Sequence, residues 1–145
     1  AYSQKQMPNL SLSDLDGKKI VLKDSFADKD KIYVFSFWAT WCTPCIAELD
    51  EMNDNLQEWQ KEVNFEVIAV ATDDSRTQKR IKPLVNGKAW EYKIFLDNNQ
   101  DLKRALGIVN IPHTVVVKIG EIVHIQNGYV PGREKELFEK LISLK

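Results

Sequence analysis

Apolar and polar positions change period several times along the chain, and each change marks an element. Leu10-Ser11-Leu12-Ser13 alternates, and Ile20-Val21-Leu22 is a second short apolar run. Asp16-Gly17 between them is a hairpin signal, so a hairpin over about 9–23 is predicted. Asp24 to Lys31 is mostly polar and reads as a loop or a single helical turn. Ile32 to Trp38, rich in aromatic and β-branched residues, reads as a buried central strand. From Cys45 onward Ile46, Leu49, Met52, Leu56, Trp59 and Val63 recur at steps of three and four. Those steps make one stripe of an amphipathic helix reaching to about Lys61. Phe65 to Ala71 is a second buried strand.

Thr72-Asp73-Asp74-Ser75 offers N-cap residues for a helix starting near Arg76. Pro83 ends or kinks that helix near Lys82, and Asn86-Gly87 closes the segment. Tyr92 to Leu96 is a third strand, Asp97 to Gln100 a turn, and Asp101 to Leu106 a short helix stopped by Gly107. Thr114 to Ile119 and Ile122 to Gln126 are strands joined at Gly120-Glu121. Glu134 to Leu144 is a helix with Leu137, Phe138, Leu141 and Ile142 on one face. Strands alternating with helices early and an antiparallel pair late imply an α/β fold, a mixed central sheet with helices on both faces. With no repeat, low-complexity tract or linker, residues 1–145 read as a single domain.

Composition narrows the class. At 145 residues the chain can bury a real core without staples. Its 43% apolar and 28% charged residues are those of an ordinary soluble globule. A net charge of −1 gives no basic field for nucleic acid or anionic membrane. The charge runs Asp50-Glu51-Asp54 and Lys79-Arg80-Lys82 read as solvated surface, and His124, Trp90 and Tyr129 as core or surface residues. No run of about 18 apolar residues is present. The opening Ala1-Tyr2-Ser3-Gln4-Lys5 carries no signal-peptide pattern and fits a start left by processing or trimming.

The only two cysteines lie in Trp41-Cys42-Thr43-Pro44-Cys45, between the first central strand and the amphipathic helix. Two thiols on a strand–turn–helix junction point to dithiol/disulfide exchange. Cys42, just before the helix, faces unpaired N–H groups and the positive dipole end, which lower a thiol pKa to about 3.5–7.5. Pro44 fits the first helical turn. Cys45 sits near the middle of the apolar stripe and Cys42 nearer its edge, so the inner thiol should be the more buried; it can reach back to resolve a mixed disulfide. Trp41 offers an exposed apolar lip. The alternatives are buried structural cysteines or half of a zinc site. Zinc would need two more ligands, and the histidines that remain, His113 and His124, lack finger-like spacing.

Glu48 lies one turn beyond Cys45, roughly 60° off the stripe centre. At that edge its pKa should rise towards neutrality, letting it take the proton of Cys45; the alternative is a solvated first-turn glutamate stabilising the helix dipole. Asn110-Ile111-Pro112-His113-Thr114 forms the second element of interest. A proline opening a strand is a place for a cis peptide bond.

Trp41-Cys42-x-x-Cys45 after a central strand, with Ile111-Pro112 before a late hairpin, resembles the thioredoxin superfamily. The N-terminal hairpin, the extra residues between Ala71 and Leu106, and Glu48 are similar to the exported TlpA/ResA-like thiol-disulfide oxidoreductases. The resemblance implies a thioredoxin-like three-layer sandwich with an extra N-terminal hairpin. It implies Cys42 attacking, Cys45 resolving, Pro112 as a cis-proline against them, and Ile111 lending backbone groups to an extended substrate peptide. Trp41 joins Ile111 and Pro112 as substrate-binding. Where thioredoxins carry a buried aspartate six residues before the first cysteine, this chain has Ser36, and Glu48 matches the glutamate thought to replace it.

His113 stands where threonine usually follows the proline. An imidazole near the thiols would lower the Cys42 pKa, with Thr43 and Pro44 as further candidates for tuning; a histidine on the strand's far face would not. Period-two alternation leaves that face open. The resemblance further implies a bacterial periplasmic or otherwise extracytoplasmic setting, disulfide-containing protein substrates, a membrane thiol–disulfide electron donor, a monomer, and no cofactor or metal beyond the Cys42–Cys45 disulfide. A peroxidase would need P-x-x-x-[TS]-x-x-C, which neither cysteine fits, and a Sco-like copper chaperone C-x-x-x-C, one residue longer than the spacing present.

Overall fold

The computed structural model describes residues 5–145, so Ala1–Gln4, most of the opening read as a processed start, lie outside the described residues. The chain forms β1 (Ser11–Ser13), β2 (Lys19–Val21), α1 (Leu22–Ser25), β3 (Ile32–Trp38), α2 (Thr43–Glu62) and β4 (Phe65–Ala71). It continues with α3 (Ile81–Lys88), β5 (Lys93–Leu96), α4 (Asp101–Ala105), β6 (His113–Lys118), β7 (Glu121–Asn127) and α5 (Arg133–Leu144).

The two most apolar runs take the middle of the sheet. β3 and β4 pair in parallel from Ile32–Phe65 to Trp38–Ala71. β6 lies antiparallel on the other side of β3, and the order across the seven-stranded sheet is β2-β1-β5-β4-β3-β6-β7. Successive side chains of a strand point to opposite faces. Val34, Trp38, Val67, Ala69 and Val116 therefore meet Leu49, Met52, Ile81, Leu137 and Leu141 of α2, α3 and α5. Tyr33, Phe35, Phe37, Val70 and Val115 meet Leu22 of α1, Phe26, and Leu102 of α4. The result is the three-layer, thioredoxin-like sandwich with an N-terminal hairpin, β1–β2. Among the described residues no helix is long and apolar enough to cross a membrane.

The structure departs from the sequence pattern in one helix. A 3-10 turn over Gln78–Arg80 precedes α3, which starts at Ile81 and runs through Pro83 and Gly87 to Lys88. Pro83 is in its first turn, where the missing N–H has no intrahelical acceptor to lose, so it neither ends nor kinks the helix. The helix closes instead on Ala89, at a left-handed φ of 53°. Asp50 is also half-buried rather than fully solvated. It accepts hydrogen bonds from Trp90 Nε1 (2.8 Å) and Lys88 Nζ (2.9 Å).

Trp90 in turn packs edge-on against Trp38, with centroids 5.4 Å apart, and the Tyr92 hydroxyl donates to Leu49 O at 2.6 Å. These contacts dock the first half of α2 on the sheet, which sets where Cys45 and Glu48 point.

Candidate active site

β3 leaves the sheet at its carboxyl end, and four residues later Cys42 is the N-cap of α2, in an extended conformation (φ −97°, ψ 96°). Its N–H donates to Ala39 O (3.1 Å) and its carbonyl accepts from Ile46 N (3.2 Å). Cys42 and Cys45 form a disulfide, with Cα atoms 5.3 Å apart. Thr43 and Pro44, both exposed, are the first two helical residues. Both cysteines are buried, Cys45 more deeply, while Trp41 beside them is 60% exposed.

The turn is tied to the neighbouring strand. Thr72 N and Oγ1 both donate to Trp38 O. Asp73, buried just past the end of β4, accepts from Thr40 N (3.1 Å), Thr40 Oγ1 (2.6 Å) and Thr77 Oγ1 (2.7 Å). Asp73 is therefore a clamp on the turn and not a helix cap, because the 3-10 turn starts farther on. The available signal was its place beyond the carboxyl end of a strand adjacent to β3, where sites of open α/β sheets gather.

Glu48 is 1% exposed. That removes the solvated-glutamate alternative, since the stripe's edge is roofed by α5. Its Oε1 has no hydrogen-bond partner among the described residues, so no hydrogen bond at that oxygen stabilises the ionised form. Burial pushes its pKa up to about 7; Arg133 opposes the rise and Glu134 adds to it. As i,i+3 neighbours on one helix, Cys45 and Glu48 have Cβ atoms about 5–6 Å apart. Glu134 is itself held by Tyr129 OH (2.7 Å) and Gly132 N (2.9 Å). Arg133 donates to Asn127 O (2.7 Å). These α5 neighbours escaped the sequence reading because they lie some eighty residues from Glu48 and share no pattern with it.

The Ile111–Pro112 peptide is cis. Phe37 pairs with His113 in the antiparallel register, which brings Pro112 opposite the end of β3, where the cysteine turn leaves. Pro112 is buried, its carbonyl accepts from Gly128 N (2.8 Å), and Ile111 is half-buried between the two core layers.

The sequence reaches no family by any one of these features, but their combination over the whole fold does. The chain matches the AhpC/TSA family over residues 3–125. The chain belongs to the AhpC/TSA family. Among its relatives, the thiol-disulfide oxidoreductase ResA of Bacillus thuringiensis subsp. konkukian is 30% identical over 140 residues, 96% of this chain and 78% of that protein. A solved thioredoxin-like protein from Porphyromonas gingivalis superposes with a TM-score of 0.82 at 35% identity, covering 99% of this chain and 94% of that one. StoA from Bacillus subtilis shares the fold, with a TM-score of 0.72 at 20% identity over 92% of this chain and 96% of that one. With its Cys42–Cys45 pair, this AhpC/TSA-family member is a thiol-disulfide oxidoreductase of the ResA-like kind.

Two further positions differ from a thioredoxin site. Ser36, buried on the cysteine-facing side of β3 in register with Thr114, puts a hydroxyl where thioredoxins carry a carboxylate. His113 shares the opposite face with its register partner Phe37 and with Val115. Burial lowers its pKa, against a hydrogen bond to Asn127 that raises it. The imidazole thus lies on the face away from α2 and not beside the thiols, a point that alternation alone leaves open because it does not fix the strand's starting residue.

Proposed function

We propose that the protein reduces or isomerises disulfides in extracytoplasmic proteins of a bacterium, with Cys42 attacking and Cys45 resolving. The observation that supports this most directly is the Cys42–Cys45 disulfide at the start of α2 with the buried Glu48 one turn behind it. In the reducing direction the Cys42 thiolate attacks one sulfur of a substrate disulfide. A Cys42–substrate bond forms and one substrate sulfur leaves as thiolate. Glu48 takes the proton of Cys45, and the Cys45 thiolate attacks Cys42 Sγ. The enzyme disulfide closes, the second substrate sulfur leaves, and both substrate thiolates collect protons. Two electrons pass from the enzyme dithiol to the substrate.

Trp41 and Ile111 supply contacts for an extended substrate segment, and Pro112 walls the site. The chain needs no cofactor beyond its own dithiol, works as a monomer and a single unit over residues 1–145, and is recharged by a thiol–disulfide donor in the membrane. Insulin reduction tests the assignment. Cys42→Ser should abolish turnover, and Cys45→Ser should accumulate a mixed disulfide on Cys42. Normal turnover by Cys42→Ser would end this reading. A midpoint potential near about −270 mV would make it a reductant and one near about −120 mV an oxidant.

A further inference from the structure

We propose that Asp73 is a positioning residue for the attacking thiol, clamping Thr40 so that Cys42 stays against Cys45 when the disulfide is open. The inference rests on the assignment of Cys42 as the attacking thiol. β3 and β4 are in register up to Trp38–Ala71, and Thr72 N to Trp38 O (2.8 Å) adds one more bond past that pair. Beyond it the backbones part, because β3 must turn towards α2. Asp73 bridges the gap with its side chain. Oδ1 receives Thr40 N at 3.1 Å and Oδ2 receives Thr40 Oγ1 at 2.6 Å, two residues before Cys42. Asp73 is 6% exposed, and Thr77 Oγ1 completes the carboxylate's set of donors at 2.7 Å.

The clamp matters differently in the two redox states. In the disulfide, the covalent link fixes Cys42 whatever Asp73 does. In the dithiol that link is gone, and the turn is held by the Asp73 bonds, the Cys42 N to Ala39 O bond and the first turn of α2. Holding two reacting groups together raises their effective concentration, so the clamp favours closing of the Cys42–Cys45 bond. Its loss should make the disulfide easier to reduce and slow the closing step, without removing any group that touches substrate.

The experiment equilibrates the protein with glutathione and measures insulin reduction in parallel. Asp73→Ala should shift the equilibrium towards the dithiol by about tenfold, about 30 mV, and lower kcat for insulin by a similar factor. Asp73→Asn, which keeps an acceptor for Thr40 N and a polar partner for its hydroxyl, should restore the equilibrium to within about twofold. Thr77→Val removes a bond to the same carboxyl away from the cysteine turn and should leave the equilibrium unchanged. Should Asp73→Ala not fold, Thr40→Val deletes the 2.6 Å bond alone and gives the same readout. An unshifted equilibrium in Asp73→Ala or its substitute, or an equal shift in Thr77→Val, would overturn the proposal. Mapping which cysteine of the reduced wild-type protein is alkylated first separates the two readings: Cys45 first removes the assignment of Cys42, whereas Cys42 first with an unshifted equilibrium removes the clamp alone.

Discussion

Cys45 and Glu48 stand one helical turn apart on the buried side of α2, each 1% exposed, and Glu48 Oε1 has no partner among the described residues. A carboxyl with a pKa near 7 beside a thiol that must lose its proton supports the proposed role of Glu48 as its general base. Glu48→Gln keeps the shape and cannot take the proton. Resolution of the mixed disulfide should slow by about a hundredfold near neutral pH, and its pH dependence should lose the step near 7. Stopped-flow measurement across roughly pH 5–9 checks this; an unchanged profile would remove Glu48 from the mechanism.

The same burial has a stability consequence. The pKa of Glu48 rises on folding from 4.5 to about 7, so the folded state binds its proton more tightly than the unfolded chain. The resulting stabilisation is complete below pH 4.5 and is lost as pH rises towards 7. The oxidised protein should lose about 3 kcal/mol from this group across that window. Denaturant unfolding of wild type and Glu48→Gln at pH 5 and pH 8 reads it as a difference: the variant should gain on wild type at the higher pH.

Two residues of α5 tune Glu48 in opposite directions. Arg133 lowers its pKa and Glu134 raises it. Arg133→Ala should therefore move the Glu48 titration upward and Glu134→Gln downward, followed by the carboxyl carbon resonance in the folded protein. Movement of both variants in one direction would show that Glu48 responds to a shift of α5 rather than to these charges.

Trp41 is exposed, so it contributes little to the core. Trp41→Ala should change stability by no more than about 0.5 kcal/mol. With insulin, KM should rise several-fold, while turnover of a small aromatic-free disulfide such as oxidised glutathione should change by less than about twofold. Equal losses on both substrates would place Trp41 in the chemistry rather than in substrate contact.

Much of this molecule is legible in its sequence because local pattern and long-range packing agree there. The apolar runs at Ile32–Trp38 and Phe65–Ala71 can only be central strands, and the stripe from Ile46 to Val63 has one face to bury. That stripe also orders the two thiols and puts Glu48 beside Cys45. α3 departs from its sequence pattern because a proline is compatible with a first turn as well as with a stop, and the choice depends on where the preceding turn begins. Asp50 departs from the solvated pattern because Trp90, forty residues away, supplies a donor that holds it.

By itself, the sequence determined most of the elements, the sheet's central strands and the cysteine pair at a helix start, since periodicity and spacing are local quantities, while the proline against that pair followed from the family resemblance. Tertiary structure alone decided how deeply Glu48 is buried, that Arg133 and Glu134 flank it, that His113 faces away from the cysteines, and that Asp73 holds Thr40. Each of these depends on which surfaces of distant segments meet. Burial and pairing between such segments set the electrostatics of the dithiol.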